Sequence, residues 1–154
     1  MKTNETAGVI APPPLIYLAG LVIGLVLCAL SATPFLPRGL AFLLGAVLIV
    51  IAVSLLLWGV RVMRQAGTSE KTSLPTTALV TSGPFRFSRN PLYVSLTLCY
   101  LGIAVAAQCL WAVAMLIVVL AVIRYGVIGR EERYLERKFG ADYLRYKEHV
   151  RRWM

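Results

Sequence analysis

The sequence predicts an all-α integral membrane protein, four transmembrane helices followed by a C-terminal amphipathic interfacial helix, and three observations carry that expectation. Of 154 residues, 58% are hydrophobic and only 15% charged, with a mean hydropathy of +0.74, whereas a soluble domain carries about a quarter charged residues. The apolar residues gather into charge-free stretches close to the roughly 20 residues that a bilayer-crossing helix needs. The 16 Lys+Arg, against 7 Asp+Glu for a formal charge of +9, fall almost entirely in alternate intervals between those stretches.

The first stretch, residues 15–32, holds no Asp, Glu, Lys, Arg or His and reads as a first span. Lys2 ahead of it and the small residues Ser31, Ala32 and Thr33 after it also suit a cleaved signal peptide. Pro12, Pro13 and Pro14 behind a polar head fit a span better, and cleavage would leave an odd number of spans. Pro34 and Pro37 then mark a short turn into a second span, 39–60, so the two must pair as an antiparallel hairpin. Residues 61–91 form the longest polar stretch, where Pro75, Gly83 and Pro84 predict irregular backbone.

From Leu92 to Ile123 the chain is almost continuously apolar, too long for one crossing of a hydrocarbon core about 30 Å thick. It divides into spans 92–107 and 110–128, the turn falling at Gln108 and Cys109, the only weakly polar point near the middle. The remainder, 129–154, repeats Leu135, Phe139, Tyr143, Tyr146, Val150 and Trp153 at steps of three or four, with basic residues on the other faces. That pattern suits a helix lying on a membrane surface over the mouth of the bundle, interrupted near Gly140 with Asp142 as a fresh helix cap. The chain is thus a single membrane domain, 1–154.

Four spans put the head, the 61–91 loop and the tail on one side, and that side holds every basic residue but Arg38. By the positive-inside rule it is the cytoplasm, so both termini are cytoplasmic in a multi-pass protein, with a prokaryotic plasma membrane as the expected location. The basic excess is then explained by orientation and by the lipid bilayer with its anionic headgroups; no nucleic-acid partner is implied.

The composition also excludes chemistries. The single His149 and the cysteines Cys28, Cys99 and Cys109 show no ligand spacing, so no metal is expected, and no P-loop, nucleophile elbow or dinucleotide fingerprint occurs. The span interiors lack Asp, Glu, Lys and His, which disfavours an ion-coupled transporter; Arg124 lies near enough to the cytosolic end to snorkel. Polar potential is concentrated in residues 77–93 and 130–135. Asn90-Pro91 reads as a helix cap with Pro at the first helical position. Glu131 and Glu132 read either as a solvated pair balanced by Arg130 and Arg133, or as a pair of which one faces the bundle to meet a cationic ligand group.

Two segments carry a resemblance. Leu79-Val-Thr-Ser-Gly83 followed by Arg89-Asn-Pro-Leu-Tyr-Val94 resembles the loop and Arg-His-Pro-x-Tyr motif of the isoprenylcysteine carboxyl methyltransferase family, which is related to the membrane phospholipid methyltransferases. Glu131-Glu132-x-x-Leu135, then Phe139-Gly140-x-x-Tyr143-x-x-Tyr146 and Val150, is similar to that family's C-terminal signature in order and spacing. The resemblance covers about half the chain and implies an integral membrane S-adenosylmethionine-dependent methyltransferase without a Rossmann domain, acting at the cytosolic interface on a small-molecule or lipid substrate. Carried over by position, it implies cofactor contacts from Thr77, Ala78, Leu79 and Val80, from Phe85, from Asn90, Pro91, Leu92 and Tyr93, and from Glu131. Asn90 stands where the family pattern has His, and Val127 where the prenylcysteine enzymes carry a substrate-associated Arg. Carboxylate, thiol and amine acceptors all stay open, phospholipid N-methylation and small-thiol S-methylation among them, as does a non-catalytic membrane scaffold.

Overall fold

The computed structural model describes residues 8–31, 34–69 and 76–153. The expectations that involve Lys2, Ala32, Thr33 and Pro75 lie outside the described residues. Helix α1 is Pro13–Leu30, two residues ahead of its expected start because Pro13 and Pro14 occupy the first helical positions, where a missing N–H costs nothing. Helix α2 is Arg38–Gln65, so five residues assigned above to irregular loop are helical. Charge at the end of an apolar run marks where a helix leaves lipid, not where its backbone hydrogen bonding stops. A 3₁₀ turn at Gly83–Arg86 precedes α3, Pro91–Ala106.

Helix α4, Leu110–Val122, passes into a π-helical stretch, Ile123–Ile128, and then α5, Gly129–Phe139. The three run as one helix of 30 residues, Leu110–Phe139, correcting the separate interfacial helix expected from residue 129. Gly140, at φ +52°, breaks the run and α6, Ala141–His149, follows at once. Asp142 is not the cap of α6: it lies inside the first turn and accepts from Arg145 at 2.6 Å. Nor does the tail stay helical to its end, since α6 stops at His149 and residues 150–153 turn back towards α3. Every regular element among the described residues is helical. Three helices, Pro13–Leu30, Arg38–Gln65 and Leu110–Phe139, are long and apolar enough to cross a membrane, and Pro91–Ala106 is a shorter apolar one.

With lipid outside, apolar surface gives helices no reason to prefer each other over solvent, so association depends on close packing at small residues. Large side chains such as Phe42, Val50, Leu57 and Ile117 accordingly point outward. Helix α2 meets α3 where Gly45 and Gly102 face each other: a Cβ on Gly45 would sit 2.6 Å from the Gly102 carbonyl oxygen. Helix α1 meets α4 in the same way, a Cβ on Gly24 falling 2.5 Å from Ala112 Cα. Between these crossings lie Tyr17 and Tyr100, edge to face with centroids 6.4 Å apart. The Tyr100 hydroxyl donates to the Ala112 carbonyl at 3.0 Å.

The α3–α4 turn falls at Gln108 and Cys109 as the sequence indicates. Gln108 adopts φ 53°, and its Oε1 accepts from the Phe35 and Leu36 amides, each at 3.2 Å. The two short turns are therefore tied together at one end of the bundle, and the longer connection and the tail occupy the other. Cys109 is more than a small core residue: its Sγ accepts from the Ala112 amide, capping α4, and donates to the Gly24 carbonyl, both at 3.3 Å.

Gly45→Leu should separate α2 from α3 and lower stability by about 1–3 kcal/mol or more, read as a drop in the thermal unfolding midpoint of the detergent-purified protein. Gly39→Ala, where no atom lies within 4 Å of the added Cβ, should leave that midpoint in place.

Candidate functional site

The end of the bundle opposite the short turns encloses a chamber of about 570 Å³, within the roughly 300–1,000 Å³ of small-molecule sites. Its walls are Leu56, Val60 and Met63 of α2, Ala78 to Val80 and Phe85 of the connection, Pro91 to Tyr93 and Leu96 of α3, Glu131, Tyr134 and Leu135 of α5, and Tyr143 and Tyr146 of α6. Pro12 to Pro14, at the start of α1, close another side.

The π-helical stretch positions the acidic pair. Wider turns turn less per residue, so the stretch delays the phase of everything after it, and Val127 and Ile128, adjacent in sequence, are both fully buried. Glu131 and Glu132 follow, each turned inward but to different partners. The Tyr93 hydroxyl donates to Glu131 Oε1 at 2.7 Å, joining α3 to α5 across the chamber. Glu132 is buried and accepts from Arg152 Nε at 2.9 Å on one oxygen and from Arg152 Nη2 at 2.6 Å on the other. Arg89 Nη1 lies 3.3 Å from Glu132 Oε1. The solvated pair balanced by Arg130 and Arg133 is therefore not what forms; Arg130 instead donates to the Gly8 carbonyl at 2.7 Å.

Nine of the ten residues named from the resemblance line this chamber: Ala78, Leu79, Val80, Phe85, Asn90, Pro91, Leu92, Tyr93 and Glu131. Thr77 stands outside the lining. Its hydroxyl donates to the Gly67 carbonyl at 2.6 Å and its amide to Thr68 Oγ1 at 3.1 Å, fastening the connection to the end of α2. Asn90 begins α3 with Pro91 behind it, yet its side chain makes no capping bond. Its Nδ2 donates instead to the Arg152 carbonyl at 2.9 Å, which turns the side chain towards the returning tail. Ser88 Oγ donates to the same carbonyl at 3.3 Å, and the Arg89 amide to the Arg151 carbonyl at 3.0 Å.

The sequence reading did not assign Tyr134, Tyr143, Tyr146, Thr68 or Arg89 to a site. Tyr143 and Tyr146 belong to the amphipathic stripe, and with Leu135 they line the chamber where a membrane surface was expected. The Tyr146 hydroxyl donates to the Phe85 carbonyl at 2.6 Å, and Tyr134 OH accepts from the Thr76 amide at 3.3 Å and from Lys138 Nζ at 3.0 Å. Burial pushes the Tyr143 phenol up to about 12, Glu132 adding to the effect and Arg89 opposing it. Burial likewise raises Tyr146, beside Tyr143. Both phenols are neutral near pH 7 and act as hydrogen-bonding groups, not as bases. Among the described residues no group of three or more His, Cys, Asp or Glu comes together to hold a metal.

Membrane-length apolar helices enclosing, at one polar end, an aromatic chamber with inward carboxylates define a helical membrane protein with a ligand-sized chamber at the end of its bundle. Residues 40–142 match the phospholipid methyltransferase family, and the chain belongs to that family. It is also similar to an uncharacterized protein of Haemophilus influenzae, 55% identical over 38 residues that make up 25% of this chain and 60% of that protein.

Tyr93→Phe and Glu131→Gln each break the bond that joins α3 to α5. In a double-mutant cycle the pair should couple by about 1.5–3 kcal/mol, the range of a hydrogen bond to a charged group, measured by thermal unfolding in detergent; additive effects would show that the two side chains act independently.

Proposed function

We propose that the protein is an integral membrane methyltransferase using S-adenosylmethionine, a single membrane domain crossed four times by α1, α2, α3 and the helix that begins at Leu110. Both termini then face the cytoplasm of a prokaryotic cell. The observation that carries this reading is the carboxylate of Glu131, with Tyr93 as its only hydrogen-bond donor among the described residues, in a chamber otherwise walled mainly by apolar and aromatic side chains. A carboxylate withdrawn from water is costly unless a cation or further donors reach it, and a ligand bearing both would supply them. Family membership supports the methyl-transfer chemistry. The geometry supports the crossings: from Leu110 to Glu131 the helix rises about 32 Å, one hydrocarbon thickness, which sets the chamber at the interface level.

The residues present fit the cofactor. When bound, S-adenosylmethionine supplies an electrophilic methyl group on a sulfonium cation. Phe85 and Tyr93 bring aromatic rings that stabilise such a charge, Glu131 accepts from amino or hydroxyl donors, and Ala78 to Val80 line the adjoining wall. Leu56, Val60 and Met63 exclude water, and the covered site holds the reacting partners in place, the main resource of a displacement that neutralises charge.

Val127, where prenylcysteine enzymes carry Arg, is fully buried, so that position offers nothing to a substrate carboxylate. This favours an acceptor recognised in another way, an amine headgroup of a phospholipid first and a small thiol second. Incubating the purified protein with methyl-labelled S-adenosylmethionine and phosphatidylethanolamine, a small thiol or a prenylcysteine should label one of the first two and not the third. Glu131→Ala should cut that transfer about 10- to 100-fold, the loss of one charged hydrogen bond. Absence of both transfer and cofactor binding would favour the scaffold reading.

A further inference from the structure

Among the described residues, Arg89 at the chamber wall keeps buried donors that no hydrogen bond uses. Its side chain is 9% exposed, it lines the chamber, and its Nε and Nη1 are buried without a hydrogen-bond partner. The nearest acid, Glu132, approaches Nη1 at 3.3 Å without hydrogen-bonding it; the aligned bonds to its oxygens come from Arg152 at 2.9 and 2.6 Å, and the Tyr143 phenol engages another part of the guanidinium. The neighbouring carbonyls of Arg151 and Arg152 are also engaged, by the Arg89 amide and by Asn90 and Ser88. A buried arginine serving only as a structural tie would spend its donors on those acceptors.

We propose that Arg89 is an anion-binding subsite of the chamber, taking the oxyanion of a carboxylate or phosphate group, and that the C-terminal segment keeps it available by occupying Glu132 with Arg152. Two arginines share one carboxylate, which leaves a net positive charge at this wall, while Glu131 supplies a negative one across from it. The chamber therefore suits a ligand with separated charges, cationic towards Glu131 and anionic towards Arg89. The amino-acid end of a sulfonium cofactor and the headgroup of a zwitterionic phospholipid both have that form. Naming the cofactor as one source rests on the methyltransferase reading; the phospholipid source stands without it.

The test uses the full chain in nanodiscs and calorimetric binding of three probes: S-adenosylmethionine, its decarboxylated analogue and a short-chain phosphatidylethanolamine. Arg89→Gln should weaken the ligand whose anion it seats by about 10- to 100-fold, as expected for a lost charge-assisted pair. If S-adenosylmethionine is weakened and the decarboxylated analogue is not, the carboxylate is the anion; if only the phospholipid is weakened, the phosphate is. Unchanged Kd for both natural ligands in Arg89→Gln overturns the subsite, as does a wild-type protein that binds neither. Binding of phospholipid alone, weakened by Arg89→Gln, would defeat the cofactor assignment and leave the subsite standing. Should Arg89→Gln fail to fold, Arg152→Gln, at a side chain 30% exposed, releases Glu132 onto Arg89 and should weaken the same ligand several-fold; an unaltered Kd there overturns the proposal.

Discussion

Successive residues of an α-helix point about 100° apart, so two consecutive carboxylates on a membrane-emergent helix would ordinarily divide between the bundle and the water. Here the π-helical stretch at Ile123–Ile128 alters the phase just before Glu131 and Glu132, and both turn inward. Neither can remain there alone, since a buried carboxylate without partners costs several kcal/mol. Glu131 draws the Tyr93 hydroxyl across the chamber, which fixes the first turn of α3 against α5. Glu132 draws Arg152 from the tail into a two-point pair, with Arg89 of the loop alongside. The polar end of the molecule is held together by satisfying these two charges.

The same requirement explains the path of the C-terminus. Gly140 breaks the long helix, α6 reverses the chain across the chamber, and residues 150–153 run back along the loop that precedes α3. There the Arg151 and Arg152 carbonyls accept from Arg89, Ser88 and Asn90, and Trp153 packs on the core. Tyr143 and Tyr146 become chamber walls as a result. The helix that a hydrophobic stripe would lay on lipid has a better partner within the protein, because that face also carries hydroxyls and one of them finds the Phe85 carbonyl.

What could be read in advance was whatever depends on apolar length and on chain punctuation. The Pro34–Pro37 and Gln108–Cys109 turns are in place, α3 begins at Pro91, and the break stands at Gly140. The residues brought together around Tyr93 and Glu131 were legible only through a motif, since a spacing of 38 residues between two helices has no local signature. The π-helical stretch has none either: Ile123 to Ile128 reads as an ordinary apolar end of a span, and without its phase change Glu131 could not be told from Glu132. The helical extension of α2 past Arg61 has no such signal, because the charge there marks only the end of lipid.

Asn90 gives its Nδ2 donor to the Arg152 carbonyl, and its own amide is held by Ser88 Oγ at 3.1 Å. A group so engaged is a fastener between α3 and the tail, and an amide has no proton to exchange near neutral pH. Where the related motif has an imidazole, this chain has a side chain that keeps the hydrogen bond and gives up the titration. The junction that holds Arg152 on Glu132, and so leaves Arg89 uncommitted, is therefore insensitive to proton concentration at the Asn90 position. The two phenols of α6 are neutral as well, and Arg89 and Arg152 flank Glu132 on this wall. On the proposed reading, a ligand is chosen by charge placement and shape, through the distance between Glu131 on α5 and Arg89 in the connection that precedes α3.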